Sequence, residues 1–213
     1  MKKIALAFIA MGWLLSGCAA YLQYTGELRI YDKIPNRPLV AVTEFDDARK
    51  TKTLGTLKAM YRLEPDSDLG IALQDQLATV LYDSKFNVVF IDESQTSKKD
   101  LRSILEESGA DVAISGTIRS FQIRAVPSTT VISPVDVMSR LIITTLVRGE
   151  KEAHDYEVLV TGSQRMGIVF YFGSRHHGFN TLYRRALEIV AASVVEDPKV
   201  KLELEKVTSG KRT

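Results

Sequence analysis

Short β-branched runs alternate with amphipathic helical stretches along the middle of the chain. The run 39–45 ends at two aspartates, and apolar residues then recur at helical spacing over 69–81. A β-prone run at 87–91 is followed by a second helical pattern over 101–109 and by a longer β-rich segment over 112–125. This alternation is typical of α/β folds, because each helix must bury its apolar stripe against a sheet.

The second half of the chain is rich in β-forming residues. Residues 141–147 and 156–161 are separated by a charged turn, which predicts a hairpin, and 168–172 is a further aromatic run. A last amphipathic helix covers 179–194. The sequence therefore predicts a single α/β domain over 38–198, with a mixed sheet, helices packed on one face and the order β-α-β-α-β-β-β-α.

The long β-rich segment 112–125 changes the phase of its alternation. Apolar side chains fall on even positions up to Ile118 and on odd positions from Phe121 onward. Because the side-chain period of a strand is two, such a slip needs one extra residue. We therefore expect a β-bulge near Arg119 and Ser120.

The amino-terminal residues have the pattern of an export signal. Lys2 and Lys3 precede an apolar run over 4–15, which is shorter than the roughly 20 residues that cross a bilayer. The run ends in small residues and in Cys18, the only cysteine of the 213-residue chain. A buried core helix is the alternative, but it leaves the lysines and the cysteine unexplained. A lone cysteine makes no internal disulfide, so packing must hold the fold.

The motif Leu15-Ser16-Gly17-Cys18 resembles the lipobox of bacterial lipoproteins. The resemblance implies a signal peptide over 1–17, cleavage between Gly17 and Cys18, and a covalent diacylglycerol and N-acyl chain on Cys18, with no other cofactor. Two or three acyl chains would hold the protein on a membrane essentially permanently. Ala19 follows the cysteine, and in enteric lipoproteins this residue is typical of the periplasmic face of the outer membrane. The inner membrane is the alternative.

Three segments outside the predicted strands and helices complete the organisation. Residues 18–37 are predicted as a lipidated amino terminus and tether, 48–66 as a loop, and 199–213 as a charged tail. The net charge of +2 is carried by Lys2 and Lys3, so the chain after cleavage would be neutral. A neutral domain argues against nucleic-acid binding, which relies on clustered basic residues.

The stretch from Gly109 to Ile118, GADVAISGTI, lies between a helical pattern and the long strand. It resembles an element of small bacterial envelope proteins, namely the TolB N-terminal domain, curli-secretion-like lipoproteins and YajG-like lipoproteins. In that element Gly109 ends the helix, and Gly116 thins the strand where the helix packs closely. The resemblance implies an interaction or assembly module without an established catalytic centre.

The sequence contains few candidates for chemistry. Asp46 and Asp47 follow the first strand, at the carboxyl end where α/β folds often bind ligands, but no further oxygen ligands complete a cation motif. His176 and His177 would point to opposite faces of a strand, and His154 lies in a charged turn. None of these residues has metal-site spacing. The sequence therefore predicts no catalytic residue and no metal ligand.

The aromatic run 168–172 is the candidate contact surface. If the run faces solvent, Phe170 and Phe172 form an apolar patch of the kind that marks partner sites, and core packing is the alternative. The leading hypothesis is a membrane-anchored, non-enzymatic envelope lipoprotein that binds an envelope protein or forms a homo-oligomer.

Three other functions remain as alternatives. The first is a transporter-associated accessory lipoprotein that binds a lipid or small ligand between helices and sheet. The second is a curli-like secretion channel subunit, which the single convincing hairpin disfavours. The third is a hydrolase with an unrecognised site that includes Asp46 or His177.

Overall fold

The computed structural model describes residues 18–22, 31–57, 61–65, 68–91, 100–125, 132–167 and 175–209. In chain order its elements are β1 (Cys18–Leu22), β2 (Leu39–Asp47), β3 (Gly55–Leu57), β4 (Tyr61–Pro65), α1 (Leu69–Asp83), β5 (Asn87–Ile91), α2 (Leu101–Ser108), β6 (Val112–Ala125), β7 (Ile132–Val147), β8 (His154–Gly167), α3 (Arg175–Glu196) and α4 (Pro198–Thr208). The α/β class is confirmed, and the predicted element order is found from β2 to α3, with β3 and β4 added. No helix within these residues is long and apolar enough to span a membrane.

The described strands form one mixed sheet. β2 lies between β5 and β6 and is parallel to both. β6, β7 and β8 form an antiparallel meander, which includes the predicted hairpin. β6 is longer than β2, so its last residues pair with β3, and the sheet continues through β4 to β1. β3 and β4 therefore lie where the sequence predicts a loop, because pairing within the sheet decides strand formation more than local propensity does.

Alternate residues of β2 enter two separate cores. Val40 and Val42 pack in one core with buried side chains of α1, α3 and α4. Ala41 packs in the other core with Ile104 and Leu105 of α2. Since successive strand residues point to opposite faces, α1, α3 and α4 cover one face and α2 lies on the other. The prediction that the helices pack on one face is therefore wrong for α2. The connection through α1 runs from β2 to β5, and the connection through α2 runs the other way, from β5 past β2 to β6. Because crossovers between parallel strands are right-handed, two crossovers in opposite directions place their helices on opposite faces of the sheet.

The bulge in β6 is confirmed. The register of β6 with β7 shifts between Ile118 and Ser120. Ile114 and Ile118 before the shift lie in the same core as Phe121 and Ile123 after it. The extra residue therefore keeps the apolar side chains of a long strand facing the helices.

Aspartates begin three helices. Asp68, Asp100 and Asp197 each accept a backbone N–H from the first turn of α1, α2 and α4, respectively. Gly109, with a φ of 69°, ends α2 in the left-handed conformation, as expected from its place in the GADVAISGTI stretch.

Gly116 makes room for a side chain of the neighbouring strand. A Cβ on Gly116 would lie 2.3 Å from Cε1 of Phe45 in β2. The Phe45 side chain is only 2% exposed and packs in the core. Gly116 therefore serves the packing of Phe45 against β6, whereas the resemblance implied close packing of the preceding helix.

The segment ahead of β2 is bound to the domain. Asn87 Oδ1 accepts the backbone N–H of Ile34 at 2.8 Å, and its Nδ2 donates to the carbonyls of Ile34 and Arg37 at 2.9 and 3.0 Å. The rings of Tyr31 and Tyr82 lie 4.6 Å apart between centroids. This part of the predicted tether is thus held by α1 and β5.

Candidate functional site

Cys18, the predicted lipidation residue, is the first residue of β1. β1 runs parallel to β4, with Cys18 opposite Tyr61 and Leu22 opposite Pro65. β4 in turn pairs with β3, which pairs with β6. The backbone that starts at Cys18 is therefore part of the sheet, and a lipid on this residue would be attached directly to the folded domain.

The other predicted residues lie partly outside the described part of the chain. Gly17, Phe170 and Phe172 lie outside the described residues, so the signal cleavage point and the aromatic contact surface stay predictions. His176 and His177 lie at the start of α3. In the part of the chain that the structure describes, no group of three or more His, Cys, Asp or Glu side chains is arranged to hold a metal ion.

The face of β7 and β8 that points away from α1, α3 and α4 carries exposed apolar side chains. Leu159 is 69% exposed and Met138 is 41% exposed. Leu159 lies opposite Arg140 in the register, so it is a diagonal neighbour of both Met138 and Ile142 on the same face. Arg140 also forms an ion pair with Glu157 across the two strands. We call these five residues, Met138, Arg140, Ile142, Glu157 and Leu159, the open face.

Asp46 and Asp47 lie at the carboxyl end of β2, as predicted. Asp47 accepts two hydrogen bonds from the guanidinium of Arg49, both at 2.7 Å. Burial alone would raise the pKa of the Asp47 carboxyl, but the hydrogen bonds and charge of Arg49 outweigh it and hold the pKa below the ordinary 3.8. At neutral pH Asp47 is therefore ionised and fixes Arg49 in place.

A polar network joins α4 to the turn between β7 and β8. Lys206 Nζ donates to Glu203 Oε2 at 2.6 Å and to Glu150 Oε1 at 2.7 Å. The Tyr156 hydroxyl donates to Glu203 Oε1 at 2.7 Å. Both oxygens of the buried Glu203 carboxylate thus have donors. From Lys199 onward α4 lies in the segment predicted as a charged tail, and this network helps bind it to the sheet.

Burial and hydrogen bonding shift the pKa values of this network in consistent directions. Burial alone would raise the pKa of Glu203, but the donors Lys206 and Tyr156 outweigh it and lower the value. Burial, followed by the bond to Glu203, raises the pKa of Tyr156 to about 12. Burial alone would lower the pKa of Lys206, but its two carboxylate partners raise it. At neutral pH the network is therefore an ion pair with a neutral tyrosine, which suits a structural contact.

We expect Glu203→Gln to destabilise the protein by about 1–3 kcal/mol at neutral pH, because Lys206 and Tyr156 lose a charged acceptor. Since folding lowers the pKa of Glu203, its stabilisation is present above the ordinary value of 4.5 and is lost as pH falls through the folded value. Urea unfolding measured at a series of decreasing pH values should show that the difference in the free energy of unfolding between wild type and variant becomes smaller. Glu205→Gln, at an exposed position of α4, is the control. A gap that does not change with pH would contradict this role.

Comparison with known proteins gives only distant similarities. No family model and no curated protein matches the chain. The similar solved structures include a PelC dodecamer from Paraburkholderia phytofirmans, with 12% identity over 76% of this chain and 92% of that chain, at a TM-score of 0.39. Protein XCC0632 from Xanthomonas campestris has 10% identity over 89% and 99%, at a TM-score of 0.46. Lipoprotein GNA1162 from Neisseria meningitidis has 9% identity over 72% and 98%, at a TM-score of 0.35.

Proposed function

We propose that this chain is a lipid-anchored, non-enzymatic interaction module of the bacterial cell envelope. Acyl chains on Cys18 hold it at the periplasmic face of the outer membrane, and its open face binds a protein partner. The position of Cys18 carries the proposal. This residue ends a signal-like run that closes in Leu15-Ser16-Gly17, and it is also the first residue of β1.

The attachment of β1 to β4 supports a rigid connection between lipid and domain. Each buried methylene of an acyl chain adds about 0.8 kcal/mol, so two or three chains give an anchor that does not dissociate on a biological timescale. A strand that starts at the lipidated residue keeps the sheet edge formed by β1 and β4 next to the membrane surface. The opposite side of the sheet, with β7 and β8, then points toward the aqueous phase.

The chemistry of the titratable groups supports a non-enzymatic module. The groups with shifted pKa values, within the described residues, are Asp47, Asp100, Tyr156, Glu203 and Lys206. Asp100 caps a helix, Asp47, Glu203 and Lys206 belong to hydrogen-bonded ion pairs, and Tyr156 donates a hydrogen bond to Glu203. Structural ion pairs shift pKa values as catalytic sites do, but a general acid or base must also reach a substrate.

The composition of the open face supports a protein partner. Met138, Ile142 and Leu159 surround Arg140, which forms an ion pair with Glu157. Methionine and arginine are among the residues that are enriched in protein interfaces. The sequence-based alternative of a ligand between helices and sheet has less support, since Tyr183 and Phe121 fill that space with fully buried side chains.

Photo-crosslinking in living cells tests the proposal at matched positions. A photoreactive amino acid at Leu159 should give one discrete adduct, because this residue is 69% exposed on the open face. The same amino acid at Leu202, a 57% exposed leucine on α4, is the control and should give none. Leu159→Asp, combined with a probe at Met138, should abolish the adduct.

The mass of the adduct identifies the partner as an envelope protein or a second copy of this chain. Equal crosslinking from Leu159 and Leu202, or none from either position, would contradict binding through the open face.

A further inference from the structure

The parallel part of the sheet contains a reversal of strand order. The chain leaves β2, passes through α1 on one face to β5, and then returns through α2 on the opposite face to β6. β2 therefore lies between the two strands that follow it. In open α/β sheets, ligands bind outside the carboxyl ends of the strands at such a reversal, which here is the end of β2 beside β6.

A depression of about 310 Å³ lies at this place. β2 pairs with β6 as far as Ile118, and β3 takes over at Ile123. Between these points β6 has no strand on that edge, and the loop after β2 lies beside it instead. We call the depression the reversal pocket, and its lining residues are Ala48, Arg49, Lys50, Thr51, Thr53, Arg119, Ser120, Phe121 and Gln122. Its size is at the lower end of the range for small-molecule sites.

The loop that forms one wall is held in a defined conformation. Leu54 is buried, its N–H donates to the carbonyl of Leu63 at 2.7 Å, and its carbonyl accepts the N–H of Ile123 at 2.6 Å. The Arg49 side chain is only 4% exposed and is bound by Asp47. A fixed wall lowers the entropy cost of ligand binding.

The reversal pocket is rich in hydrogen-bond donors, and two of them are positively charged side chains that no neighbouring acidic lining residue balances. Lys50 and Arg119 add two positive charges to the Asp47–Arg49 pair, which is neutral overall. The hydroxyls of Thr51, Thr53 and Ser120 and the amide of Gln122 add hydrogen-bonding groups, and none of the described lining residues is acidic. Guanidinium and ammonium groups with hydroxyl donors around them are the usual partners of phosphate oxygens.

We propose that the reversal pocket binds the phosphate group of an anionic ligand. Lys50 and Arg119 contact the phosphate oxygens, and the hydroxyls and amide of the lining orient it. The register of β6 against β7 shifts between Ile118 and Ser120, at the residues that line the pocket. The phosphate belongs either to a small soluble phosphate ester or to a lipid headgroup. This site goes beyond the proposed function, which holds or fails independently through Cys18 and the open face.

The test measures phosphate binding to the full-length protein in an uncharged detergent. Inorganic phosphate is titrated and followed by ³¹P nuclear magnetic resonance, with saturation expected in the millimolar range (Kd of about 1 mM). Lys50→Gln and Arg119→Gln should each weaken binding by about tenfold or more, since hydrogen bonds to charged groups are lost. Lys201→Gln and Arg184→Gln, at exposed positions of α4 and α3, are the matched controls and should bind as wild type does.

Competition identifies the source of the phosphate. Displacement of inorganic phosphate by glycerol 3-phosphate indicates a soluble ester, and displacement by short-chain phosphatidylglycerol indicates a lipid headgroup. Because Lys50 and Arg119 are exposed, their replacement should leave the thermal unfolding midpoint unchanged. Absence of saturable binding to the wild type, or equal affinity of the Lys50→Gln and Arg119→Gln variants, would overturn the assignment.

Discussion

Replacing Cys18 by serine should move nearly all of the protein from the membrane fraction to the soluble fraction. Serine has no thiol to accept the diacylglycerol, so the variant loses every acyl chain of the proposed anchor. Cell fractionation by ultracentrifugation, followed by immunoblotting, measures the distribution between the two fractions.

A second variant separates lipidation from the mere presence of a thiol. Ser209 is exposed just after α4, and Ser209→Cys restores one cysteine to the Cys18→Ser chain at the wrong end. This double variant should stay soluble, because lipidation needs the sulfur directly after the Leu15-Ser16-Gly17 motif. An unchanged membrane fraction for Cys18→Ser would rule out the anchor.

Phe45→Ala should destabilise the domain by about 3–5 kcal/mol, which is a large part of the 5–15 kcal/mol that typical domains have. Phe45 is nearly fully buried, and its ring lies in the core between β2, β6 and α1. Truncation leaves a cavity between strands that the backbone pairing holds apart. Urea unfolding followed by circular dichroism measures the loss. Ile71→Ala, at an exposed position of α1, is the control and should change the stability by no more than about 0.5 kcal/mol.

The contact between Phe45 and Gly116 should appear as an energetic coupling. Gly116→Ala alone should cost about 1–3 kcal/mol, because the new methyl overlaps the Phe45 ring. In the Phe45→Ala background the same change should lower the free energy of unfolding much less. The difference between the two losses is the coupling energy, which we expect to be about 0.5–3 kcal/mol, as for other residues in contact. Additive effects of the two substitutions would show that the ring and the glycine do not meet.

The main features of the sheet could be predicted from the sequence because its strands and helices are strongly patterned. The phase slip at Arg119 and Ser120 predicted the bulge, and the helical spacing of apolar residues over 69–81 and 101–109 located α1 and α2 closely. The hairpin β3–β4 was not predictable in the same way. Its short strands have little hydrophobic alternation and form because β6 extends beyond β2 and offers an unpaired edge.

The site could be predicted only where one residue carries the signal. Cys18 stands out by its position, but its place in a strand depends on β4, which is more than thirty residues away along the chain. The open face was missed because β7 has apolar residues on both sides, so Met138 and Ile142 do not stand out. Leu159 between Glu157 and Thr161 is the signal that could have found it. The reversal pocket joins two segments far apart in sequence, and only the strand order brings Lys50 and Arg119 together.

The proposed anchor and the two proposed binding surfaces lie in different parts of the same sheet. Cys18 lies at the edge formed by β1 and β4, whereas the reversal pocket lies beside β6 and the open face lies on β7 and β8. Both proposed binding surfaces are thus separated from the anchor strand by other strands. Membrane attachment and ligand or partner binding can therefore occur together.

Mass spectrometry of the protein isolated from membranes tests the central claim most directly. We expect an amino terminus at Cys18, with residues 1–17 removed, and an amino-terminal peptide whose mass is increased by a diacylglyceryl group and one further acyl chain. A membrane-derived protein that retains residues 1–17, or that begins with an unmodified Cys18, would contradict it.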